Sequence, residues 1–390
     1  MTSLLSDELL ATFRDRAADY DRDNAFFAED LADLHAAGYL GAMVPAGLGG
    51  GGLSLRETAR EQARLSAHAP ATALAVNMHH VWVGVGRYLH ERGDSSLDWL
   101  LAEAASGEVF GFGYSEPGND LVLLGSRTEA RPDGSGGYTF HGTKIFTSNS
   151  PAWTRLGVLG LDSSNGERHG AEPRLVHGFV TRAGGGFEIL DDWDTIGMRA
   201  SQSRTTMLDG AHAPADRVLR LLPPGPSLDP YVLGIFTSFE VLLAAVYAGI
   251  ADRALELAVE AVGRRTSMKT GKPYSQDPDV RRRVADMALT QDSVWLQIDG
   301  ITRELEASAS DGTLDRGAGW FRATAGLKVR VTEAARDVVD QAVRVSGGST
   351  YFNTSELGRL YRDVLAGIFH PSSDDSAHAT VAQSLLGPLD

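Results

Sequence analysis

The chain has 390 residues, of which 43% are hydrophobic and 22% are charged, and its formal net charge is -15 at pH 7. Nucleic acid and anionic membrane surfaces repel such an acidic protein, so we expect neither as a partner. Cysteine is absent, which excludes disulfides, thiolate metal sites and a cysteine nucleophile. The length is that of a protein with two or three domains.

The first part of the chain, residues 4–107, is predicted to be helical, because apolar residues recur at helical spacing. The glycine-rich stretch 45–52 interrupts these helices. No basic segment followed by a long apolar run opens the chain, so we expect a cytoplasmic protein. The apolar segment 70–89 carries His79 and His80, which point to different sides of a helix. We expect at least one of them to be a hydrogen-bonded structural histidine, while the other could face a site.

From residue 109 to residue 222, glycine, proline, aromatic and β-branched residues alternate in short runs. This pattern predicts strands of an antiparallel sheet with turns between them. The sequence PDGSGGY at 132–138 predicts a hairpin turn. The proline-rich stretch 221–230 ends this region as a linker.

Helical periodicity returns after the linker, and four helices are predicted there: 231–264, 279–309, 317–345 and 374–386. Long helices joined by short loops form an up-down bundle. We therefore predict an α+β fold, mainly α, in three domains. They are an N-terminal α-helical domain (1–108), a middle antiparallel β domain (109–222) and a C-terminal four-helix bundle (231–390).

One carboxylate stands in an almost wholly apolar helix, since residues 231–250 contain a single charge, Glu240. Burial disfavours the ionised form and raises the pKa of such a group, which then suits a general base near neutral pH. The alternative is a structural Glu at the edge of a buried helix, paired with an arginine or capping a neighbour. A membrane span is rejected, because the stretch is isolated and the charged residues 251–265 follow directly.

Five motifs carry a resemblance to a known family: YSEPGND at 114–120, GTKIFTSN at 142–149, WDTIGMRAS at 193–201, VSGG at 345–348 and LYRD at 360–363. They resemble, in order, the T-E-P-G-x-G-S-D, G-x-K-x-W-I-T-N, W-x-x-x-G-M-R-x-S, Q-x-x-G-G and L-x-R-D motifs of the acyl-CoA dehydrogenase superfamily. That family combines a helical domain, a small β domain and a C-terminal helical bundle. Singly each motif is weak, but the ordered set covers nearly the whole chain.

The resemblance implies FAD. By the family pattern, four residues lie along the isoalloxazine: Tyr114, Ser115, Phe146 and Ser148, with the Ser148 hydroxyl toward the flavin N5 edge. The pyrophosphate and adenine would be held by Arg265, Met268, Gly347 and Gly348, commonly across a subunit boundary, so we expect a homotetramer or homodimer. Arginine and glycine suit phosphate binding, although Arg264 and Arg265 could instead only complete a helix.

The family's dehydrogenases use a Glu to remove the α-proton while the flavin N5 takes the β-hydride. Most members carry that Glu after L-x-R-D, where this chain has Pro371. A minority carry it in L-E-R-L-V-L-A on the first bundle helix, and SFEVLLA at 238–244 aligns with this segment. We therefore predict FAD-dependent α,β-dehydrogenation of an acyl thioester, CoA- or carrier-protein-linked, with Glu240 as base and an electron-transfer flavoprotein as a candidate partner. The predicted substrate contacts are His80, Asn119, Phe239 and Tyr247.

Flavin-dependent monooxygenases of the same fold are the alternative. They lack the Glu, use reduced flavin from a flavin reductase to activate O2, and often carry a histidine in the terminal loop. This chain offers His370 there, beside Ser148 and His79 or His80, and a histidine can direct a proton. A structural role for His370 and a flavin-free binding protein also remain open. We predict no metal, because Asp374, Asp375 and His378 suit an ordinary helix N-terminus.

Overall fold

The structure is a computed structural model that describes residues 3–121, 123–164 and 172–387. The first region holds five helices: α1 (Asp7–Asp23), α2 (Ala28–Ala36), α3 (Leu55–Ser66), α4 (Pro70–His90) and α5 (Asp98–Ala105). Helix α3 begins at a capping box, in which Ser54 and Glu57 satisfy each other's backbone N–H groups. Helix α4 begins at Pro70, which cannot extend a helix backwards but suits its first turn. The helical prediction for residues 4–107 is confirmed.

The described residues of the middle region form one sheet of eight strands: β1 (Phe110–Gly113), β2 (Glu129–Pro132), β3 (Tyr138–Thr147), β4 (Arg155–Asp162), β5 (Arg174–Thr181), β6 (Phe187–Ile189), β7 (Arg204–Ala213) and β8 (Val218–Leu222). Its order is β6-β7-β3-β2-β4-β5-β8, with β1 beside β4. The predicted hairpin joins β2 to β3, and the Asp133 N–H donates to the Gly137 carbonyl at 3.0 Å.

The sheet is mixed rather than wholly antiparallel. Strand β1 pairs with β4 in parallel, from Phe110 opposite Arg155 onward, and β2 meets β4 in parallel at Glu129 and Leu161. Parallel neighbours need a long connection between them, and here the chain runs through β2 and β3 before it returns as β4. Alternation along each strand indicates its exposed faces but not the direction of its partner, so the sequence pattern misses these pairs.

The last region holds α6 (Pro230–Arg264), α7 (Pro278–Ser310), α8 (Gly319–Ser346), α9 (Glu356–Val364) and α10 (Asp374–Leu386). The predicted bounds of the four expected helices differ from these by two residues at most. Helix α9 was not expected, because its nine residues give only two turns of periodicity. Both α9 and α10 pack on α8.

Helix α6 is the centre of the molecule and packs against α3, α4, α7 and α8. Of the described residues, only this helix is long and apolar enough to cross a membrane, and 89% of its most apolar 18-residue stretch is buried inside the protein. A helix that is apolar all round is expected at such a position, since it has neighbours on every side. Its burial creates the unusual surroundings of Glu240.

Candidate active site

Glu240 is a buried carboxyl with one oxygen bound and one oxygen unpartnered. Its side chain is 1% exposed. Oε1 accepts hydrogen bonds from the Ser372 N–H at 3.0 Å and the Ser372 hydroxyl at 2.8 Å, whereas Oε2 has no hydrogen-bond partner among the described residues. Burial raises the pKa of Glu240 to about 7, against the opposing effects of Ser372 and the Lys328 charge. The group can therefore take up or release a proton near neutral pH.

The terminal loop, residues 365–373 between α9 and α10, brings His370 to the same side of α6. The Nε2 atom of His370 lies 2.9 Å from the hydroxyl of Tyr247, which follows Glu240 by seven residues and so lies about two helical turns away on one face. Burial, together with the charge of Lys328, lowers the pKa of His370 to about 3. The imidazole is neutral at pH 7, with one nitrogen donating and the other accepting. Three predicted site residues thus meet at the contact of α6 with this loop.

Lys328 on α8 is a site residue that the sequence reasoning missed. Its side chain is 1% exposed, and its ammonium donates to the carbonyl oxygens of Gly367 at 2.9 Å, His370 at 3.0 Å and Ser372 at 2.7 Å. Burial lowers the pKa of Lys328 to about 8, although Glu240 acts to raise it. One signal was available: Lys328 falls on the apolar face of α8, in helical register with buried Thr324 and Val331.

Of the predicted flavin-side residues at the end of β3, Phe146 is exposed and Ser148, which directly follows the strand, is buried. Phe146 is 56% exposed and has a left-handed backbone with φ +55, and its ring meets that of Trp193 edge-on at 6.2 Å. The Ser148 hydroxyl lies 2.8 Å from the Ser203 hydroxyl, which lies 2.8 Å from that of Ser201. The exposed ring could contact the face of a flat heterocycle, and the Ser148 hydroxyl, which like those of Ser201 and Ser203 is buried, could contact its polar edge.

The motifs at 114–120 and 142–149 touch one another, since the Ile145 N–H donates to the Ser115 carbonyl at 3.0 Å. The Tyr114 ring itself points into the protein. Its hydroxyl lies 2.9 Å from that of Tyr231 and 3.1 Å from Nδ1 of His177, and the residue is 1% exposed. Only the backbone of Tyr114 is therefore available to a ligand at this surface.

Three of the four residues predicted to hold pyrophosphate and adenine, Arg265, Gly347 and Gly348, lie together at the end of α8. Arg265 donates to the Val345 and Ser346 carbonyls at 3.2 Å and 2.5 Å. A Cβ at Gly347, where φ is +81, would meet the Arg265 guanidinium at 2.6 Å, so only glycine leaves this arginine in place. Gly348 is open and Met268 is fully exposed. Phosphate binding by this cluster stays a prediction.

Of the two adjacent histidines, His79 is structural, as expected. Its Nε2 lies 2.9 Å from the Leu40 carbonyl and its Nδ1 accepts from the Phe110 N–H at 3.2 Å. His80 is fully buried and lies edge-on to Tyr39 at 4.8 Å. Neither ring nitrogen of His80 has a hydrogen-bond partner within the described part of the chain, and its predicted contact with substrate stays untested.

The other two predicted substrate contacts are Asn119, whose side chain is hydrogen-bonded within the protein, and Phe239, which makes an aromatic contact. The Asn119 amide donates to Glu116 Oε2 at 2.7 Å and to the Gly125 carbonyl at 3.3 Å, and its oxygen accepts from the Leu121 N–H at 3.0 Å. All its polar atoms therefore serve its own loop. Phe239 is half-buried beside Glu240, with its ring 5.8 Å from that of Phe112.

Two family models and several known proteins are similar to this chain. Residues 6–99 match the model of the acyl-CoA dehydrogenase N-terminal domain, and residues 241–374 match that of the acyl-CoA dehydrogenase C-terminal domain. The amino sugar nitrososynthase RubN8 of Streptomyces rubradiris is 30% identical over 94% of this chain and 84% of its own length. The putative acyl-CoA dehydrogenase YdbM of Bacillus subtilis is 27% identical over 95% of this chain and 93% of its own length.

A solved structure of KijD3 in complex with FMN and dTDP-3-amino-2,3,6-trideoxy-4-keto-3-methyl-D-glucose superposes with a TM-score of 0.85. It is 28% identical and covers 98% of this chain and 92% of that one. These matches confirm the predicted three-part fold and support a flavin as the cofactor.

Proposed function

This chain belongs to the acyl-CoA dehydrogenase family and is a flavin oxidoreductase, and from that premise we propose that it oxygenates an amine nitrogen with O2 and a reduced flavin. In the balanced reaction, a primary amine, O2, two electrons and two protons give a hydroxylamine and water. The reduced flavin, when bound, supplies the two electrons. Amino sugars are the first class of substrate to test. The similar RubN8 is an amino sugar nitrososynthase, and KijD3 was crystallised with an amino sugar nucleotide.

The likeness to RubN8 and KijD3 favours an amine as the substrate, and the residue that would prepare this amine is Glu240. A protonated amine has no free electron pair and cannot be oxidised at nitrogen, so a base must first remove one proton. The unpartnered Oε2 of Glu240 can accept it, because the pKa of the carboxyl is about 7. The ammonium then becomes the neutral amine, and Glu240 becomes the neutral acid, which its apolar surroundings favour.

Two further features favour oxygen chemistry. The neutral His370, hydrogen-bonded to Tyr247, can direct a proton without carrying a charge of its own. The polar atoms of Asn119 are used within its own loop, in the segment that holds a CoA thioester in the family's dehydrogenases. A flavin reductase would be the partner that supplies reduced flavin. Association of the chain as a homotetramer or homodimer, and a cytoplasmic location, remain part of the proposal.

Dehydrogenation of an acyl thioester is the second candidate, and the alignment of SFEVLLA at 238–244 favours it. Glu240 would then take the α-proton, a bound flavin would supply the hydride-accepting chemistry, and an electron-transfer flavoprotein would be the partner. Both reactions need the same base, so mutation of Glu240 alone does not separate them. The two reactions are separated by the identity of the substrate and of the oxidant.

The test therefore has two arms. In the aerobic arm, the protein receives reduced FMN or FAD and a panel of primary amines, including nucleotide-linked amino sugars, and N-oxygenated products are measured by mass spectrometry. In the anaerobic arm, the flavin-loaded protein is mixed with acyl-CoA thioesters and its visible absorbance is followed. The proposal expects product in the first arm only. Bleaching by a thioester, without any oxygenated amine, would assign the dehydrogenase instead.

A pair of variants tests the base in whichever arm is active. Glu240→Gln should lower turnover by about 100-fold or more, the usual contribution of a general base. Glu256→Gln is the matched control, because Glu256 lies on the same helix and its side chain is 60% exposed. Full activity of Glu240→Gln would refute the role of this carboxyl.

A further inference from the structure

Lys328 is the most deeply buried cation near the site, and all its hydrogen bonds end on one loop. An ammonium group has three protons to donate. Those of Lys328 reach three carbonyl oxygens of the terminal loop, at Gly367, His370 and Ser372, over 2.7–3.0 Å. A buried charge is tolerated when it is hydrogen-bonded in this way. One side chain of α8 therefore fixes the course of the whole loop.

Ser372 is bound from both sides. Its carbonyl accepts from Lys328 at 2.7 Å, while its N–H and its hydroxyl donate to Glu240 at 3.0 Å and 2.8 Å. These contacts join α8 to α6 through a single residue. The position of the two donors on Glu240 consequently depends on where Lys328 holds the loop.

We propose that Lys328 is a positioning residue for the reaction: it holds the terminal loop so that Ser372 binds one oxygen of Glu240 and leaves the other oxygen for the substrate. The inference deepens the proposed function, because it concerns the same base. Lys328 acts through the loop and through its charge, and it does not need to touch the substrate.

The charged and titratable groups around the pair support this role. Lys328 is the charge that acts on Glu240 and opposes the effect of burial. Glu333 on α8 and Asp374 at the start of α10 act on Lys328 rather than on Glu240. His370 is neutral at pH 7, and burial raises the pKa of Tyr247, so neither adds a charge beside the carboxyl. Loss of the Lys328 charge should therefore leave Glu240 protonated to a higher pH.

The test is an infrared titration of the apo protein, in which the carbonyl band of protonated Glu240 is identified by its loss in Glu240→Gln. In Lys328→Met, the midpoint of this titration should rise by about one pH unit, the usual effect of removing a nearby opposite charge. Arg322→Met is the matched control, since Arg322 is an exposed cation on the same helix, and its midpoint should not move.

Lys328→Arg separates the charge from the geometry. The guanidinium keeps a positive charge but is planar and cannot place three protons as an ammonium does. We expect the Glu240 midpoint to stay near that of the unaltered protein, while amide hydrogen exchange in residues 367–373 becomes faster. This variant also keeps the inference testable if Lys328→Met does not fold.

An unchanged midpoint in folded Lys328→Met, or unchanged exchange of the loop in Lys328→Arg, would overturn the assignment. No substrate enters either measurement. The inference can thus fail while amine oxygenation is found, and it can hold while the reaction proves to be a different one.

Discussion

Two buried Glu–Lys pairs occur among the residues that the structure describes, and they are built in opposite ways. In the sheet region, Lys144 touches Glu116 directly at 2.6 Å. The same carboxylate also accepts from the backbone N–H groups of Arg127 and Thr128 and from the hydroxyls of Ser126 and Thr128. In the helical region, Ser372 separates Lys328 from Glu240, and one carboxylate oxygen has no partner in the described structure.

The proton affinities follow from this difference. Burial would raise the pKa of Glu116, but Lys144 and the surrounding donors lower it to about 2. Glu240 has two donors and a more distant cation, so burial dominates and its pKa rises to about 7. A fully satisfied pair holds its charge permanently and here joins the β1–β2 connection to β3, whereas a half-satisfied carboxyl can exchange a proton. Chemistry is therefore expected at the second pair only.

The largest expected effect is loss of the cation in the sheet pair. Lys144→Met leaves the Glu116 carboxylate buried without its counter-charge, and we expect it to lower the free energy of unfolding by about 3–5 kcal/mol. Chemical denaturation measures this change. Arg131→Met is the control, because Arg131 and Glu129 form an exposed pair on β2 that contributes about 1 kcal/mol or less. Equal effects of the two variants would contradict the comparison.

The second effect is on pH dependence at the other pair. Glu240 has a folded-state pKa of about 7 against its ordinary value of 4.5, so folding favours the protonated acid. The stability that the protonated Glu240 contributes is therefore fully present below about pH 4.5 and is lost as the pH rises through 7. Glu240→Gln cannot ionise and avoids this loss.

The quantity to follow is the free energy of unfolding of Glu240→Gln minus that of the unaltered protein. We expect this difference to increase by about 3 kcal/mol between acidic and neutral pH. Denaturation at several pH values measures this difference, in which the contributions of the buried histidines cancel. A difference that does not change with pH would mean that Glu240 is not a carboxyl of raised pKa.

The smallest effect is expected from Tyr247→Phe. It removes the hydroxyl 2.9 Å from His370 Nε2, and loss of one such hydrogen bond lowers stability by about 1 kcal/mol. Tyr351→Phe serves as control, because Tyr351 is 95% exposed. A loss in the control as large as that in Tyr247→Phe would show that the contact with the loop contributes nothing.

The sequence was sufficient for the long helices, for the sheet region and for the unusual carboxylate, because each leaves a local signal, whereas the short helix α9 does not. The single charge in residues 231–250 indicates a perturbed Glu240 before any contact is known. The contacts that tune it could not be predicted in the same way. Ser372 binds Glu240 across 132 positions of the chain, and no local periodicity reports such a pairing.

The relative direction of neighbouring strands and the hydrogen-bond partners of single side chains could not be predicted from the sequence pattern either. The parallel pairing of β1 with β4 depends on the path between them. Asn119 is predicted to contact the substrate, and the structure shows its side chain hydrogen-bonded inside its own loop, in a pattern that no motif specifies. Motifs indicate which residues a family places at a site, whereas the satisfaction of each polar atom is a property of the folded chain.

The most direct test of the account is isotope labelling. The flavin-loaded protein is reduced without air and then mixed with ¹⁸O₂ and the amine that the panel identifies, and the product is weighed by mass spectrometry. The account predicts one ¹⁸O atom on the nitrogen of each hydroxylamine formed. If no labelled hydroxylamine is formed, and an acyl thioester bleaches the flavin without air, oxygenation is contradicted and dehydrogenation at Glu240 is established.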